Sequence, residues 1–228
     1  MSFILIYVLE VTQCHFWAKQ EERGMPRQTF FNLPDEKKQI LLKAAKKEFT
    51  RVSLAEASIA NIVKEADIPR GSFYQYFDDK EDLYFYLLND RLKERREELI
   101  TNLQKHNGDI FAAVKEMLHS LLREMDEEGI YQFYRNVFLN MDYRTEKAFM
   151  NLINYNALDK KYALIKHLIN KKNLNVDNDH ELFQVVQIVS MVMTENLVQK
   201  FGKEMTDEEV IHNYNIQIKL LKRGFVKE

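Results

Sequence analysis

The sequence predicts an all-α protein, with a small N-terminal domain of three helices that contains a helix-turn-helix and a larger C-terminal helical domain. Three observations carry this. Only six Gly and three Pro occur in 228 residues, which favours long helices and short connections. Apolar residues recur at helical spacing along most of the chain. Between Ala60 and Leu83 the order A-N-I-V-K-E-A-D-I-P-R-G-S-F-Y-Q-Y-F-D-D-K-E-D-L ends one short amphipathic helix near Ala66, turns at Asp67-Ile68-Pro69 and starts another near Arg70. Two brief helices joined by so short a turn form a helix-turn-helix, whose second helix fits a DNA major groove.

Residues 1–24 do not match the rest of the chain. Phe3 to Leu9 is an apolar run too short to span a bilayer, with no positive residue ahead of it and no small-residue cleavage site behind it. Pro34-Asp35-Glu36 opens the first helix, since proline suits the first turn and acids favour the positive end of the helix dipole. Ile40, Leu41, Ala44, Ala45 and Phe49 form its apolar face, with lysines mostly opposite. Ser58 is positioned to cap the second helix, which turns Ile59, Ile62 and Val63 inward.

The next helix is barely two turns long. Phe73 and Phe77, at i and i+4, form its buried side. Gly71 permits close approach of another backbone, and Ser72, Tyr74, Gln75 and Tyr76 carry polar tips. Arg70 and Gln75 suit base edges, because guanidinium and amide groups read guanine and adenine. Ser72, Tyr74, Tyr76 and Lys80 suit phosphates, with Lys80 at the start of the following helix.

The run Gly71, Ser72, Phe73, Tyr74, Gln75, Tyr76, Phe77, then Lys80 and Leu83, resembles the DNA-binding signature of the TetR family of transcriptional repressors. The resemblance extends from about Leu33 to Leu88. It implies a DNA-binding domain over residues 25–78 and an effector-binding and dimerisation domain over residues 79–228. It further implies that Met25 starts the biological chain, residues 1–24 being an upstream extension, and that the second helix begins beside the DNA backbone, making Ser58 a phosphate contact. Ser53 and Asp67 stand where the family has glycine, and Pro69 stands where it commonly has a serine cap. Asp tolerates a left-handed backbone better than most residues, and Pro presets the helical φ.

A long helix is expected from Asp79 to about Lys105, ending at Asn107-Gly108. The resemblance makes it the lever that resets the spacing of two DNA readers. Asp109 to Met125 is the clearest amphipathic helix, and Gly129 marks the next break. Met117, Phe133, Tyr134, Phe138, Phe149, Met150 and Tyr155 are the candidate lining of an apolar effector pocket with a few polar tips. Ala157 to Lys172 and His180 to Phe201 are the next two helices, the latter stopped by Gly202, and Thr206 with Glu209 opens the last helix as a capping box. The last two helices are more apolar than a small domain needs to bury. The resemblance implies that they pair with their copies in a four-helix bundle, with Val185, Val189, Val192, Met193, Tyr214, Ile218 and Leu221 at the interface of a homodimer.

Charge divides along the chain in a way that suits this organisation. Residues 25–77 hold nine Lys/Arg against six Asp/Glu, whereas residues 78–228 hold 22 against 26. The basic surplus falls on the proposed reader. The single cysteine, Cys14, rules out an internal disulfide framework and points to a reducing cytoplasm. The six histidines lack metal-ligand spacing, and neither a phosphate loop nor a nucleophile elbow occurs, so no metal, cofactor or enzymatic activity is expected. The expected function is a dimeric repressor that binds a double-stranded operator and is released by a small apolar or amphipathic effector. Two alternatives stay open: an adaptor of the same fold that recruits a protein partner without an effector, and a helical enzyme with a dispersed site.

Overall fold

The computed structural model describes residues 26–140 and 162–226. Its elements are α1 (Gln28–Phe31), α2 (Asp35–Arg51), α3 (Ile59–Glu65), α4 (Arg70–Tyr76), α5 (Lys80–Lys105), α6 (Ile110–Glu124), α7 (Ile130–Leu139), a 3-10 turn (Lys171–Asn173), α8 (Asp179–Lys203) and α9 (Asp207–Phe225). Among the described residues the only β pairing is an isolated antiparallel bridge between Leu174 and Val226. The fold is all-α, and no described helix is long and apolar enough to cross a membrane.

Helices α2, α3 and α4 form the first domain, and α5 runs from it into the second. There α6 packs against α5, α8 and α9, while α7 lies between α8 and the first domain's α2. Most ends obey the expected chemistry. Asp79, Asp109 and Asn178 accept backbone N–H groups at the starts of α5, α6 and α8, and Thr206 with Glu209 completes the capping box of α9. Asn107 and Gly108 both take positive φ after α5, at 51° and 82°. A Cβ on Gly108 would lie 2.5 Å from Asn170 N and Leu168 O, so only glycine fits where the two chain segments cross.

Asp67 adopts φ 51°. Ile68 N donates to Val63 O at 3.0 Å and Asp67 N to Lys64 O at 3.3 Å, the paired bonds of a Schellman cap on α3. The corner therefore forms without the family's glycine.

Several boundaries differ from the sequence reading. The short α1 precedes the helix at Pro34 and buries Phe30 completely. Ile40 is 45% exposed, because the core face of α2 passes through Leu41, Ala44, Ala45 and Phe49. Helix at residues 162–165 gives way to turn well before Lys172. Helix α8 continues through Gly202 to Lys203 and ends where Glu204 turns left-handed, at φ 54°.

Glu48 fixes the first domain internally. Only 5% exposed, it accepts from Arg51 Nε and Nη2 at 2.9 and 2.8 Å, from Ser58 N at 2.9 Å and from Asn61 Nδ2 at 3.0 Å. It ties α2 to the first turn of α3. The Arg51 hydrogen bond, with smaller contributions from Ser58 and Asn61, holds its carboxyl below the ordinary glutamate range despite the opposing effect of burial. A depressed folded-state pKa contributes stability above the unfolded value, and this is lost as pH falls through the folded one. Thermal melts of Glu48→Gln and wild type should therefore differ by about 1–3 kcal/mol at neutral pH and converge in acid below the usual glutamate range; a constant difference across that range would contradict the assignment.

Candidate nucleic-acid interface

Helix α4 presents two unlike sides. Phe73 and the following Phe77 are fully buried, with Phe30 5.0 Å from Phe77 and 5.3 Å from Tyr86 between ring centroids. Arg70, Gly71 and Gln75 are exposed, Tyr74 is 39% exposed, and Ser72 and Tyr76 are half-buried. The expected base-reading pair, Arg70 and Gln75, thus shares the outer surface with Gly71 and Tyr74. Arg70 Nη2 reaches the Tyr74 hydroxyl at 3.5 Å, one turn along. A Cβ built on Gly71 would meet nothing within 4 Å, so no contact inside the subunit requires glycine there.

The C-terminal end of α4 is held by residues that sequence patterns do not single out. Arg27 N donates to Tyr76 O at 2.8 Å, Thr29 Oγ1 donates to Gln75 O, and the Arg27 guanidinium pairs with Asp78. The apolar pair Phe30-Phe31 just ahead of Pro34 is the only trace of α1 in the sequence, and alone it does not specify this contact.

Of the expected phosphate residues, Lys80 has other work and Ser58 does not cap its helix as expected. Lys80 Nζ donates to Ala55 O at 2.8 Å and Ala57 O at 2.9 Å, satisfying the carbonyls of the α2–α3 turn. Its ammonium is an internal tether, with one of three hydrogens remaining. Ser58 occupies the N-cap position of α3, but its side chain makes no capping hydrogen bond; its backbone N–H is taken by Glu48 instead.

Comparison with known families matches residues 41–87 to a model described as bacterial regulatory proteins, tetR family, and residues 109–225 to one described as tetracyclin repressor-like, C-terminal domain. The second match alone spans half of the chain. The chain belongs to the TetR family. It is a transcriptional regulator with a helix-turn-helix DNA-binding domain. A Bacillus subtilis protein described as the uncharacterized HTH-type transcriptional regulator YdgC is 30% identical over 96 residues, 41% of this chain and 49% of that protein, so the alignment spans about half the relative's length. Two solved structures share the fold. A regulator of this family from Mesorhizobium loti has TM-score 0.60 at 11% identity, covering 85% of this chain and 98% of its own. The Thermus thermophilus repressor FadR, solved with lauroyl-CoA, has TM-score 0.57 at 17% identity, covering 83% and 95%.

In this TetR-family chain the candidate pocket residues lie largely inside the core. Met117, Phe133 and Tyr134 are buried, and Phe138 stacks on Tyr134 and on Phe201, with ring centroids 6.5 and 5.6 Å apart. Phe149, Met150 and Tyr155 lie outside the described residues. Burial, reinforced by Glu124, pushes the Tyr134 hydroxyl up to about 12, so it stays protonated. Next to it is an ion cluster that the sequence did not reveal. Arg91 Nη1 lies 3.2 Å from Glu124 Oε1, while Arg95 lies 2.9 Å from Glu98 and 3.1 Å from Glu124. The Arg95 contacts meet the ion-pair distance but not hydrogen-bond alignment. Arg95 Nε and Nη1, Glu98 Oε2 and Glu124 Oε2 are left buried without hydrogen-bond partners.

Four of the seven expected interface residues are taken up inside the subunit, and the other three remain partly accessible. Val185, Val189, Tyr214 and Ile218 are at most 8% exposed in a single subunit and belong to its own core, and Val192, Met193 and Leu221 pack at its margin. The large apolar side chains most exposed on the last two helices are Met191 on α8 and Ile216 and Leu220 on α9, at 44, 46 and 57%.

These geometries separate two residues that the signature treats alike. Lys80→Ala should lower the melting temperature, since it removes two hydrogen bonds that hold the α2–α3 turn, each worth about 0.5–1.5 kcal/mol. Tyr74→Ala should leave melting nearly unchanged. Equal melting of both variants, followed by circular dichroism, would show that the tether carries no stability.

Proposed function

We propose that the protein is a homodimeric repressor in the cytoplasm whose two α4 helices enter successive major grooves of a pseudo-palindromic operator, about 34 Å apart. The observation that carries the reading is Gly71. Glycine is a poorer helix former than alanine, by about 0.5–1 kcal/mol in a helix interior and less in a first turn such as this one, and nothing within the subunit needs it. Close approach of a DNA backbone to α4 supplies the reason. Arg70 and Gln75 read base edges, and Ser72, Tyr74 and Tyr76 fix register on phosphates. Lys80 serves mainly by holding the turn, with its remaining hydrogen directed to phosphate, and the Ser58 hydroxyl is a second backbone contact.

The stripe formed by Met191, Ile216 and Leu220 supports the dimer. Joined across a two-fold axis, α8 and α9 would bury it in a four-helix bundle.

Release by a small amphipathic molecule is supported by the aromatic row of Tyr134, Phe138 and Phe201, which adjoins the buried ion cluster of Arg95, Glu98 and Glu124. A ligand with an apolar body and a polar end would satisfy both. Helix α7 reaches the DNA-binding domain directly, because Asn136 Nδ2 donates to Phe49 O and Thr50 O at 3.0 Å each, at the end of α2. A ligand that moved α7 would pull on α2, and the shift needs only a difference in affinity between the two positions. The burial of Met117, Phe133 and Tyr134 favours a second reading, an adaptor that recruits a protein and needs no effector. Screening small molecules for release of bound DNA separates the two.

Selection of bound DNA from a random pool tests the reader. Gly71→Ala should raise the melting temperature while weakening binding to every selected sequence, and Gln75→Ala should relax preference at one position per half-site. Gly71→Ala that binds at wild-type affinity would remove the argument. For the dimer, Leu220→Glu should yield monomers by analytical ultracentrifugation and weaken operator binding, whereas Val189→Glu should unfold the subunit instead.

A further inference from the structure

Two clefts on the outer side of the second domain are not accounted for by DNA reading, dimerisation or an effector in the core. One, of about 310 Å³, lies along α6 and is lined by His106, Lys115, Glu116, His119 and Arg123. The other, of about 330 Å³, lies between α6 and α9 over Phe111 and Ile218, with Lys115, Lys219 and Lys222 around it. They share Ala112 and Lys115 and so form one bilobed depression.

Its charge runs against the acidic balance of the second domain. Four Lys/Arg side chains and two histidines line it against one carboxylate, in a chain of formal net charge -2. That carboxylate, Glu116, is already engaged by Lys105 and His106. Asp109, 3.8 Å from Lys222, already accepts from Phe111 N and Ala112 N as the cap of α6. Lys115, His119 and Arg123 succeed one another at i, i+4 and i+8 along one face of α6. Burial, with Lys115 and Arg123 adding to it and Glu116 opposing, lowers the His119 pKa. On α9, Asn215, Lys219 and Lys222 face the depression, about a quarter-turn round the helix from Ile216 and Leu220. Pairing through that apolar stripe would leave the basic depression open.

We propose that this depression binds a small molecule carrying two or more phosphate groups, with Lys115 at its centre, Arg123 and His119 toward one lobe and Lys219 and Lys222 toward the other. Several converging donors and cations meet clustered phosphate oxygens with charge-assisted hydrogen bonds. Both lobes are shallow and open to solvent, so the ligand is held by charge-assisted contacts and not by enclosure. The inference does not rest on the operator or core-effector readings.

The full chain with ring-labelled histidine, its signals assigned through His119→Gln, can be titrated with sodium tripolyphosphate at constant ionic strength and followed by NMR. The His119 signals should shift and saturate at one anion per chain. Lys115→Gln and Arg123→Gln, both exposed, should each weaken binding about tenfold, while Lys93→Gln and the reader variant Arg70→Gln leave it unchanged. Tighter binding of ATP than of tripolyphosphate would identify a nucleotide, and equal binding a phosphate chain. No shift, an equal shift with sodium chloride, unaltered binding in the Lys115 and Arg123 variants, loss in Arg70→Gln, or saturation of His119 by a short non-operator duplex would each overturn the proposal.

Discussion

A helix of seven residues cannot sustain itself in water, because nucleation fixes several dihedrals before enough hydrogen bonds repay them. Everything outward-facing on α4 therefore depends on what is buried beneath it. Phe73 and Phe77 are sealed completely, and the aromatic contacts continue through Phe30 to Tyr86 on α5. Arg27 and Thr29 then hold its last carbonyls. The result is a short rigid strut whose exposed side chains need not hold it in place. The exposed tips of Arg70, Tyr74 and Gln75 are left for other contacts because the buried phenylalanines, with Arg27 and Thr29, anchor the helix.

The same division of labour governs the joint between the domains. Helix α5 begins at the reader, where Asp79 caps it and Lys80 ties it to the α2–α3 turn, and it ends inside the second domain. Asn136 makes a separate connection from α7 to the end of α2, and its own carbonyl accepts from Gln132 Nε2 at 3.1 Å. The first domain is thus gripped at two points. A rotation of α7 relative to α5 would change the angle of α2, and with it the attitude of α4, without disturbing the Glu48 bonds that keep α2 and α3 together.

How much of this is legible in the sequence depends on the range of the interactions. The reader is legible because its determinants are local: two phenylalanines four residues apart, a corner, and polar tips between them. The left-handed Asp67 is likewise visible, since few side chains tolerate that φ. The tether of Lys80 to Ala55 and Ala57 is not, because a lysine near a helix start reads as a phosphate contact until the carbonyls across the turn are seen. The roles of Arg27 and Thr29 span about fifty residues and leave no periodicity. Asn136 and the Arg95–Glu124 pair are polar residues on amphipathic helices, indistinguishable in sequence from solvated ones.

The last two helices show the same limit from the other side. Both are apolar over more than one face, so helical periodicity identifies them as buried without saying which stripe meets the subunit's own core. Val185, Val189, Tyr214 and Ile218 suit an outward stripe by spacing, yet they complete the packing against the rest of the domain. The residues left over, Met191, Ile216 and Leu220, are the informative ones. An apolar side chain that stays exposed after every internal contact has been made is a better marker of association than one with high hydrophobicity, because the folding of the subunit gives it no reason to be there.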